Sequence, residues 1–375
     1  MRSPLAHRNL FHDKVRLAVT LTGVVFAVVL IVMELGLFFG FIKTTSCLID
    51  HSRADLWITA RRVPYLELDV PIKEQRLYQI KAVPGVADAE RFVNHAAWWT
   101  RADGARETVR IAGFNPDDNL GGPWNLVEGN VRDLKTPDGV IVDEFYKKTL
   151  GVNHIGEVFE IRGHRARVVG FTKGIRSFTT EPYVFTAVQH AQDFAAMPTD
   201  EITYILVKTA PGVNSDTVRK NILARVKDVD VLTTPEFGRM TESYWTLKTG
   251  AGIAILLAAA LGLVVGFVVV AQTIYATTMD HVKEFGTLKA MGAPNSYIYK
   301  VILTQAAIAA VIGYTLGMII SNVLVHYAQP AGAPIIMTWW LVLGMFALTL
   351  IMCCGAAVIS INKVTKLDPA MVFKG

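Results

Sequence analysis

Four long apolar runs divide the chain, and each is long enough to cross a lipid bilayer as a helix. A helix needs about 20 apolar residues to span the hydrocarbon core. The runs cover residues 17–42, 250–274, 301–325 and 335–361. The last three contain no Asp, Glu, Lys or Arg, and the first contains only Glu34. The pattern predicts a polytopic membrane protein with four transmembrane helices.

A polar segment of about 200 residues separates the first two runs, and its pattern mixes short strands with short helices. Strands are predicted at 54–58, 87–99, 109–114, 140–143, 157–161, 165–171, 203–208 and 229–233. Helices are predicted at 72–83, 144–150 and 215–226, and a loop rich in turn formers at 115–130. The segment therefore reads as an α+β domain of one or two subdomains, inserted between the first and second transmembrane helices.

The predicted order follows directly from these runs. It is an amphipathic helix at 1–16, a transmembrane helix at 17–42, the inserted α+β domain at 43–247, a transmembrane helix at 248–275, a loop with a short helix at 276–298, transmembrane helices at 299–326 and 335–361, and a tail at 362–375.

Composition and charge fix the class and the orientation. The chain is 52% apolar and 18% charged, whereas about a quarter of the residues of a soluble domain are charged. The net charge of +5 does not indicate a nucleic-acid partner, because the basic residues flank the apolar runs beside the membrane lipid. These residues are Arg2, Arg8, Lys14, Arg16, Lys283, Lys289, Lys300, Lys363, Lys366 and Lys374. The positive-inside rule then predicts that both termini and the 276–298 loop are cytoplasmic and that the 43–247 domain is extracytoplasmic.

Polar and small residues within the runs predict contacts between helices. A carboxylate in the bilayer is costly, so Glu34 should face another helix, either as a structural hydrogen bond or as a substrate contact. Gly262 and Gly266 form a GxxxG pair, and Gly313 and Gly317 form another. Such pairs favour close helix packing, within one chain or between two copies. A homodimer is expected, because four helices do not easily enclose a conducting path.

A short charged island, 280–295, lies between the second and third runs. Its apolar residues recur at steps of three: Val282, Phe285, Leu288 and Met291. Lys283, Glu284 and Lys289 can then face away. Gly292 is placed as a left-handed C-cap, and Pro294 stops the helix. The pattern predicts a short amphipathic helix that is either a docking surface for a soluble partner or an ordinary interfacial loop helix.

The chain carries no recognisable catalytic motif. It has no Walker A loop, no H-E-x-x-H, no C-x-x-C and no G-x-S-x-G. The nine histidines are scattered, and the three cysteines form no disulfide framework. Asp117 and Asp118 lie in a turn-rich loop and are expected to be solvated. A membrane-anchored enzyme is therefore disfavoured.

Three stretches resemble a known family. Residues 284–293, EFGTLKAMGA, resemble the E-[IF]-G-[TIV]-L-[KR]-A-[ILM]-G-A signature of MacB/FtsX-type ABC transporter permeases, directly after the second of four spans. Residues 366–372, KLDPAMV, resemble the closing hydrophobic-DPA stretch of that family. The N-terminal region is similar to the DevC branch, except that Glu34 stands where that branch is expected to have Gln. The order of one span, a large domain and three spans also matches.

The resemblance implies a MacB-like permease fold, a bacterial inner-membrane location and a homodimer. Each copy would bind a separate ABC ATPase, which uses ATP and Mg²⁺, while this chain binds no cofactor or metal and is not an enzyme. The 281–293 helix would be the coupling helix and would transmit motion to the outer domain, a process called mechanotransmission. Its ATPase contacts would be Lys283, Glu284, Phe285, Gly286, Thr287, Leu288, Lys289, Met291 and Gly292. Phe285 and Leu288 would fill a groove on the ATPase.

DevC-like members imply two further partners, a HlyD-like membrane-fusion adaptor in the periplasm and a TolC-like outer-membrane protein. Two other members of the family offer different functions. An FtsX-like chain would regulate a periplasmic cell-wall hydrolase, and a LolC/LolE-like chain would extract lipoproteins. The sequence leaves the cargo open.

Overall fold

A computed structural model describes residues 14–179, 181–328 and 334–365. The side chains of Arg16, Lys283, Phe285, Ala290 and residues 361–365 are outside that description. Residues 1–13 of the predicted amphipathic helix and the tail motif at 366–372 also lie outside the described residues. The chain divides into two compact units, a helical unit (described residues 14–40 and 252–365) and an inserted domain (41–251).

Eleven α-helices occur in the described residues. They are α1 (Lys14–Thr45), α2 (Cys47–Asp50), α3 (Gln75–Lys81), α4 (Lys147–Leu150), α5 (Val188–Ala195), α6 (Ser215–Arg225), α7 (Thr234–Ser243), α8 (Ala251–Asp280), α9 (Val282–Ala290), α10 (Asn295–Ala328) and α11 (Trp339–Thr365).

Four of the described helices are long and apolar enough to cross a membrane: α1, α8, α10 and α11. The predicted fold class, four membrane helices with an α+β domain after the first, is confirmed. Helix α8 ends at Asp280 and α10 begins at Asn295, so the polar connection is shorter than the predicted 276–298 loop. Helix α8 continues because no Gly or Pro lies between Ile274 and Asp280.

Twelve strands occur in the described residues of the inserted domain. They are β1 (Leu56–Ala60), β2 (Ile72–Lys73), β3 (Val86–Thr100), β4 (Arg106–Phe114), β5 (Leu126–Gly129), β6 (Gly139–Asp143), β7 (Val158–Ile161), β8 (His164–Thr172), β9 (Tyr183–Ala187), β10 (Glu201–Ile202), β11 (Tyr204–Thr209) and β12 (Val229–Thr233).

The main sheet of the inserted domain has the order β12-β1-β11-β3-β4-β9-β6-β8-β5, with β7 beside β3 and β8, and β2 and β10 form a separate two-stranded sheet. Strand β3 is 15 residues long. Its first half pairs with β11 and its second half pairs with β4, both antiparallel. The two halves of the sheet therefore share a strand, and residues 41–251 form one compact unit.

Several predicted elements need correction. The predicted helix at 72–83 is the short strand β2 followed by α3, and the predicted loop at 115–130 contains strand β5. Strand β9 and helices α5 and α7 were not predicted at all. Strand β5 is half-exposed to exposed along its length and forms by pairing with the distant β8, so its local pattern gives little signal.

The core of the inserted domain centres on four large aromatic residues that are almost fully buried. The indole of Trp57 lies 5.6 Å from the ring of Phe92, 5.5 Å from Tyr204 and 5.4 Å from Phe237. The Tyr204 hydroxyl donates a hydrogen bond of 2.8 Å to the carbonyl oxygen of Leu66. Aromatic rings bury large areas and prefer such edge-to-face contacts. This cluster joins β1, β3, β11 and α7 into one core.

Candidate functional site

Helix α9 is a nine-residue helix that follows α8 after a single residue. Residue His281 precedes its first turn, and His281 Nδ1 lies 3.0 Å from Glu284 Oε1. Glu284 is in the first turn and Lys289 in the last, where each charge complements the helix dipole. The local charge pattern thus supports a short helix at this position.

The C-terminal end of α9 is closed by two backbone hydrogen bonds. The amide of Ala293 donates to the carbonyl of Leu288 at 3.0 Å, and the amide of Gly292 donates to Lys289 at 3.0 Å. This pair of bonds is a Schellman motif. Gly292 has a φ of +90°, a conformation that glycine adopts without a steric penalty. Pro294 follows, and α10 begins at Asn295. The predicted C-cap is therefore present, and four residues separate α9 from α10.

The outward face of α9 differs from the expectation. Glu284, Thr287 and Met291 are exposed, and their spacing of three and four residues places them on one side of the helix. Val282 and Leu288 are instead half-buried against the core of the helical unit. Leu288 thus packs partly within its own chain, and its contact with a groove on a partner stays a prediction. Gly286 and Lys289 are half-buried, and Gly292 is exposed.

The four predicted glycines all pack against α1. A Cβ placed on Gly313 would lie 2.5 Å from Val24 Cγ1, and one on Gly317 would lie 2.7 Å from Val28 Cγ1. On the α8 side, a Cβ on Gly266 would lie 3.0 Å from Ala27 Cβ. These distances leave no room for a larger residue on α10. Of the two alternatives for the GxxxG pairs, the structure shows packing within one chain.

Glu34 lies beside the fourth glycine. Its side chain is half-buried, and its Cγ is 3.9 Å from the position that a Cβ on Gly262 would take. Leu30, one turn earlier on α1, is closer still at 3.4 Å. The carboxylate-bearing residue thus faces the glycine surface of α8. Its role as a hydrogen-bonding or substrate-contacting group stays a prediction.

Among the described residues of the inserted domain, one acidic trio has ligand atoms that lie within 4.8 Å of one another: Asp88, Glu90 and Asp118. Lys81 Nζ is 2.8 Å from Glu90 Oε1 and 3.8 Å from Asp88 Oδ1. Burial and the neighbouring Glu90 and Asp88 raise the pKa of Asp118. Because the Lys81 ammonium already pairs with Glu90 and Asp88, we interpret the trio as an ion-pair cluster rather than a catalytic centre.

The carboxyl group of Glu67, which the sequence pattern does not single out, contacts the turn that precedes α8. A π-helical turn, Tyr244–Lys248, precedes α8. Trp245 Nε1 donates to Glu67 Oε2 at 3.1 Å, and the ring of Tyr244 stacks on Tyr65 at 4.0 Å. Burial raises the pKa of Glu67 although Trp245 and Arg110 act in the opposite direction. The turn is therefore anchored to the segment that follows β1.

Ser46 connects the segment after α1 to helix α7. Its hydroxyl lies 2.8 Å from Asp50 Oδ2 and 2.8 Å from Glu242 Oε1. A hydroxyl has one proton to donate, so both carboxyl groups are satisfied only when one of them carries a proton. Burial raises the pKa of Glu242, the Ser46 hydrogen bond lowers it, Asp50 raises it and Arg239 lowers it, with a net increase.

This geometry predicts a pH dependence of stability. Because the pKa of Glu242 is higher in the folded protein than its ordinary value of 4.5, the stabilisation is fully present below that value and is lost as the pH rises through the folded pKa. We expect Glu242→Gln to remove this loss, since the amide donates to Ser46 at any pH. The gain at neutral pH should be about 1 kcal/mol.

The measurement is thermal unfolding of the full chain in detergent across a pH series. The matched control is Glu128→Gln on the exposed strand β5, which should keep the pH slope of the unsubstituted protein. An unchanged slope in Glu242→Gln would contradict the shared-proton interpretation.

Comparisons with known proteins agree with this architecture. A family model described as the MacB-like periplasmic core domain matches residues 17–225, and one described as the FtsX-like permease C-terminal matches residues 256–369. An uncharacterized ABC transporter permease of Mycobacterium tuberculosis is 24% identical over 99% of this chain and 99% of its own length. A similar permease of Mycobacterium bovis is 24% identical over 96% of this chain and 95% of its own length.

Among solved structures, the periplasmic region of MacB from Actinobacillus actinomycetemcomitans is 15% identical and has a TM-score of 0.39. The matched region covers 51% of this chain and 94% of the MacB periplasmic structure. The first family model spans more than half of the chain, from the first membrane helix through most of the inserted domain. The second includes α9, α10 and α11. The chain therefore belongs to the MacB/FtsX-like family of ABC transporter permeases.

Proposed function

We propose that this chain is the permease subunit of an ATP-driven exporter in which two copies of the chain each bind a separate ABC ATPase. Membership of a family of ABC permeases implies an ATPase partner. ATP and Mg²⁺ would be bound by that partner. This chain would supply the membrane helices and the domain that acts outside the membrane.

The observation that carries the proposal is the construction of α9. The helix is joined to α8 through one residue and to α10 through a closed Schellman turn. It presents Glu284, Thr287 and Met291 outward and holds Leu288 against the helical unit. A force applied to its outer face is thus delivered to two membrane helices. An ordinary interfacial loop helix does not need both of these fixed ends.

The proposed transmission path then follows the helices. Helices α8 and α10 both press glycine surfaces against α1, so a displacement of either helix is resisted by close contact with α1. Helices α1 and α8 are continuous in sequence with the two ends of the inserted domain. Motion of the pair would therefore reach that domain, which is the essence of mechanotransmission.

The proposed orientation places both chain termini and α9 in the cytoplasm of a bacterial cell and the inserted domain in the periplasm. It rests on the basic residues beside the apolar runs. A HlyD-like adaptor and a TolC-like outer-membrane duct complete the proposed export path, and their support is the DevC-like N-terminal region. The large inserted domain favours export over FtsX-like regulation of a hydrolase.

The test is to express the chain with the ABC ATPase encoded beside its gene and to purify the complex in lipid nanodiscs. The expected particle contains two permease chains and two ATPase chains and hydrolyses ATP. Cysteine labelling of intact cells should reach position 103 in the β3–β4 turn and leave position 291, directly after α9, unlabelled. A monomeric permease without ATPase, or labelling at 291 alone, would contradict the proposal.

A further inference from the structure

A groove of about 980 Å³ lies on the helical unit where α10 begins. Polar residues line one end and apolar residues the other. They are Asn295, Ser296, Tyr299 and Lys300 towards the polar end, and Leu303, Thr304, Ala307 and Cys354 towards the apolar end, where the Thr304 hydroxyl donates to the carbonyl oxygen of Lys300 at 2.7 Å. All but Cys354 belong to α10, and Cys354 belongs to α11. From 295 to 307 the helix rises about 18 Å. The groove is thus polar where the membrane helix starts and apolar further along it.

The polar end of the groove is positively charged. Lys300 is exposed, and among the described residues no carboxylate pairs with its ammonium group. Helix α10 has 34 residues and no acidic residue in its first turn, so its dipole adds positive potential that no local carboxylate offsets. The amide of Asn295 and the hydroxyl of Ser296 supply further hydrogen-bond donors at the same end.

The apolar end of the groove disfavours a purely ionic ligand, because such a ligand would leave the apolar lining without a contact. Leu303 and Ala307 lie about two and three turns beyond Ser296 and continue the groove along the helix. Cys354 closes it from α11. A ligand that uses the whole groove must combine an anionic group with a hydrocarbon chain. Basic pockets between membrane helices are suited to anionic lipid headgroups.

We propose that this groove binds an anionic phospholipid, with the phosphate against Lys300 and the start of α10 and an acyl chain along Leu303 and Ala307. The charge of the polar end and the position of the groove at the end of a membrane helix select a lipid over a soluble anion. None of the described residues that line the groove belongs to α9. Its occupancy can therefore be established or refuted without reference to the ATPase partner.

The experiment measures lipid retained by the purified full chain in native mass spectrometry. Phosphatidylglycerol and phosphatidylcholine with identical acyl chains are titrated separately. We expect selective retention of phosphatidylglycerol, a loss of about fivefold in affinity for Lys300→Gln, and near-normal affinity for Lys300→Arg. The matched control is Lys248→Gln. Lys248 is an exposed lysine that precedes the first residue of α8, and this variant should bind phosphatidylglycerol normally.

A second variant tests the apolar end without changing the charge. Ala307→Phe fills the groove and should lower phosphatidylglycerol binding at least threefold while Lys300 is intact. Thermal unfolding of each variant checks that it is folded. If Lys300→Gln does not fold, the binding measured for Lys300→Arg and Ala307→Phe decides whether the proposal holds.

Three results would overturn the proposal. Equal retention of phosphatidylglycerol and phosphatidylcholine would show that the charge does not select the lipid. Normal binding by Ala307→Phe would show that the groove does not hold the acyl chain. Binding of sn-glycerol 3-phosphate as tightly as phosphatidylglycerol would identify a soluble phosphate ester as the ligand.

Discussion

Gly317→Leu is expected to destabilise the permease by about 3 kcal/mol and to reduce the yield of folded protein sharply. A Cβ at this position would lie 2.7 Å from Val28 Cγ1 and 2.8 Å from Val28 Cβ. Val28 is 2% exposed, and its branched side chain has little rotational freedom. The backbone of α10 must therefore move away from α1, and the close packing on which membrane helices depend is lost.

The matched control is Gly344→Leu on α11, where an added Cβ would meet no atom within 4 Å. It should express and melt like the unsubstituted chain. A second test combines Gly317→Leu with Val28→Ala, which removes the clashing Cγ1 atom but keeps the Cβ, and should restore part of the lost stability. The measurements are size-exclusion chromatography of a fluorescent fusion and thermal unfolding in detergent. Equal melting temperatures for both leucine variants would refute the packing argument.

The second large effect is expected at the outer face of α9. Met291 is 72% exposed and shares that face with Thr287 and Glu284. If the ATPase covers this face, Met291→Asp places a carboxylate in the contact without a partner, which costs about 3 kcal/mol or more. We therefore expect ATP hydrolysis by the assembled complex to fall at least tenfold, with normal insertion of the permease in the membrane.

The matched control for this change is Tyr327→Asp, because Tyr327 is 75% exposed and lies at the other end of α10. That variant should keep the ATPase bound and active. Co-purification distinguishes two causes of low ATP hydrolysis in Met291→Asp. Loss of binding removes the ATPase from the purified complex, whereas loss of coupling leaves it bound. Normal binding and normal hydrolysis in Met291→Asp would remove α9 from the proposed contact.

The sequence predicted features that depend on local chemistry. The four apolar runs predicted the membrane helices because length and composition suffice for that purpose. The C-cap at Gly292 was predictable because a glycine followed by a proline two residues later is a local stop signal. The turn between β3 and β4 is also a local signal, because residues that alternate between apolar and polar flank Gly104.

Features that depend on distant partners were missed or were incomplete. Strand β5 is defined by its pairing with β8, and nothing in its own residues requires a strand. Leu288 fits an amphipathic helix, but the pattern does not show which protein its apolar side faces. Small residues at Gly313 and Gly317 predicted close packing without naming α1 as the neighbour. Ser46 and Glu242 are separated by 196 positions, and no periodicity links them.

The long strand β3 has a mechanical consequence for the inserted domain. Its hydrogen bonds to β11 and to β4 run across the strand, as in any antiparallel pairing. A pull along β3 loads both rows of bonds in shear, so many bonds must break together before the halves of the sheet can slide. The domain should therefore resist a pull along β3 until one of these rows of hydrogen bonds breaks.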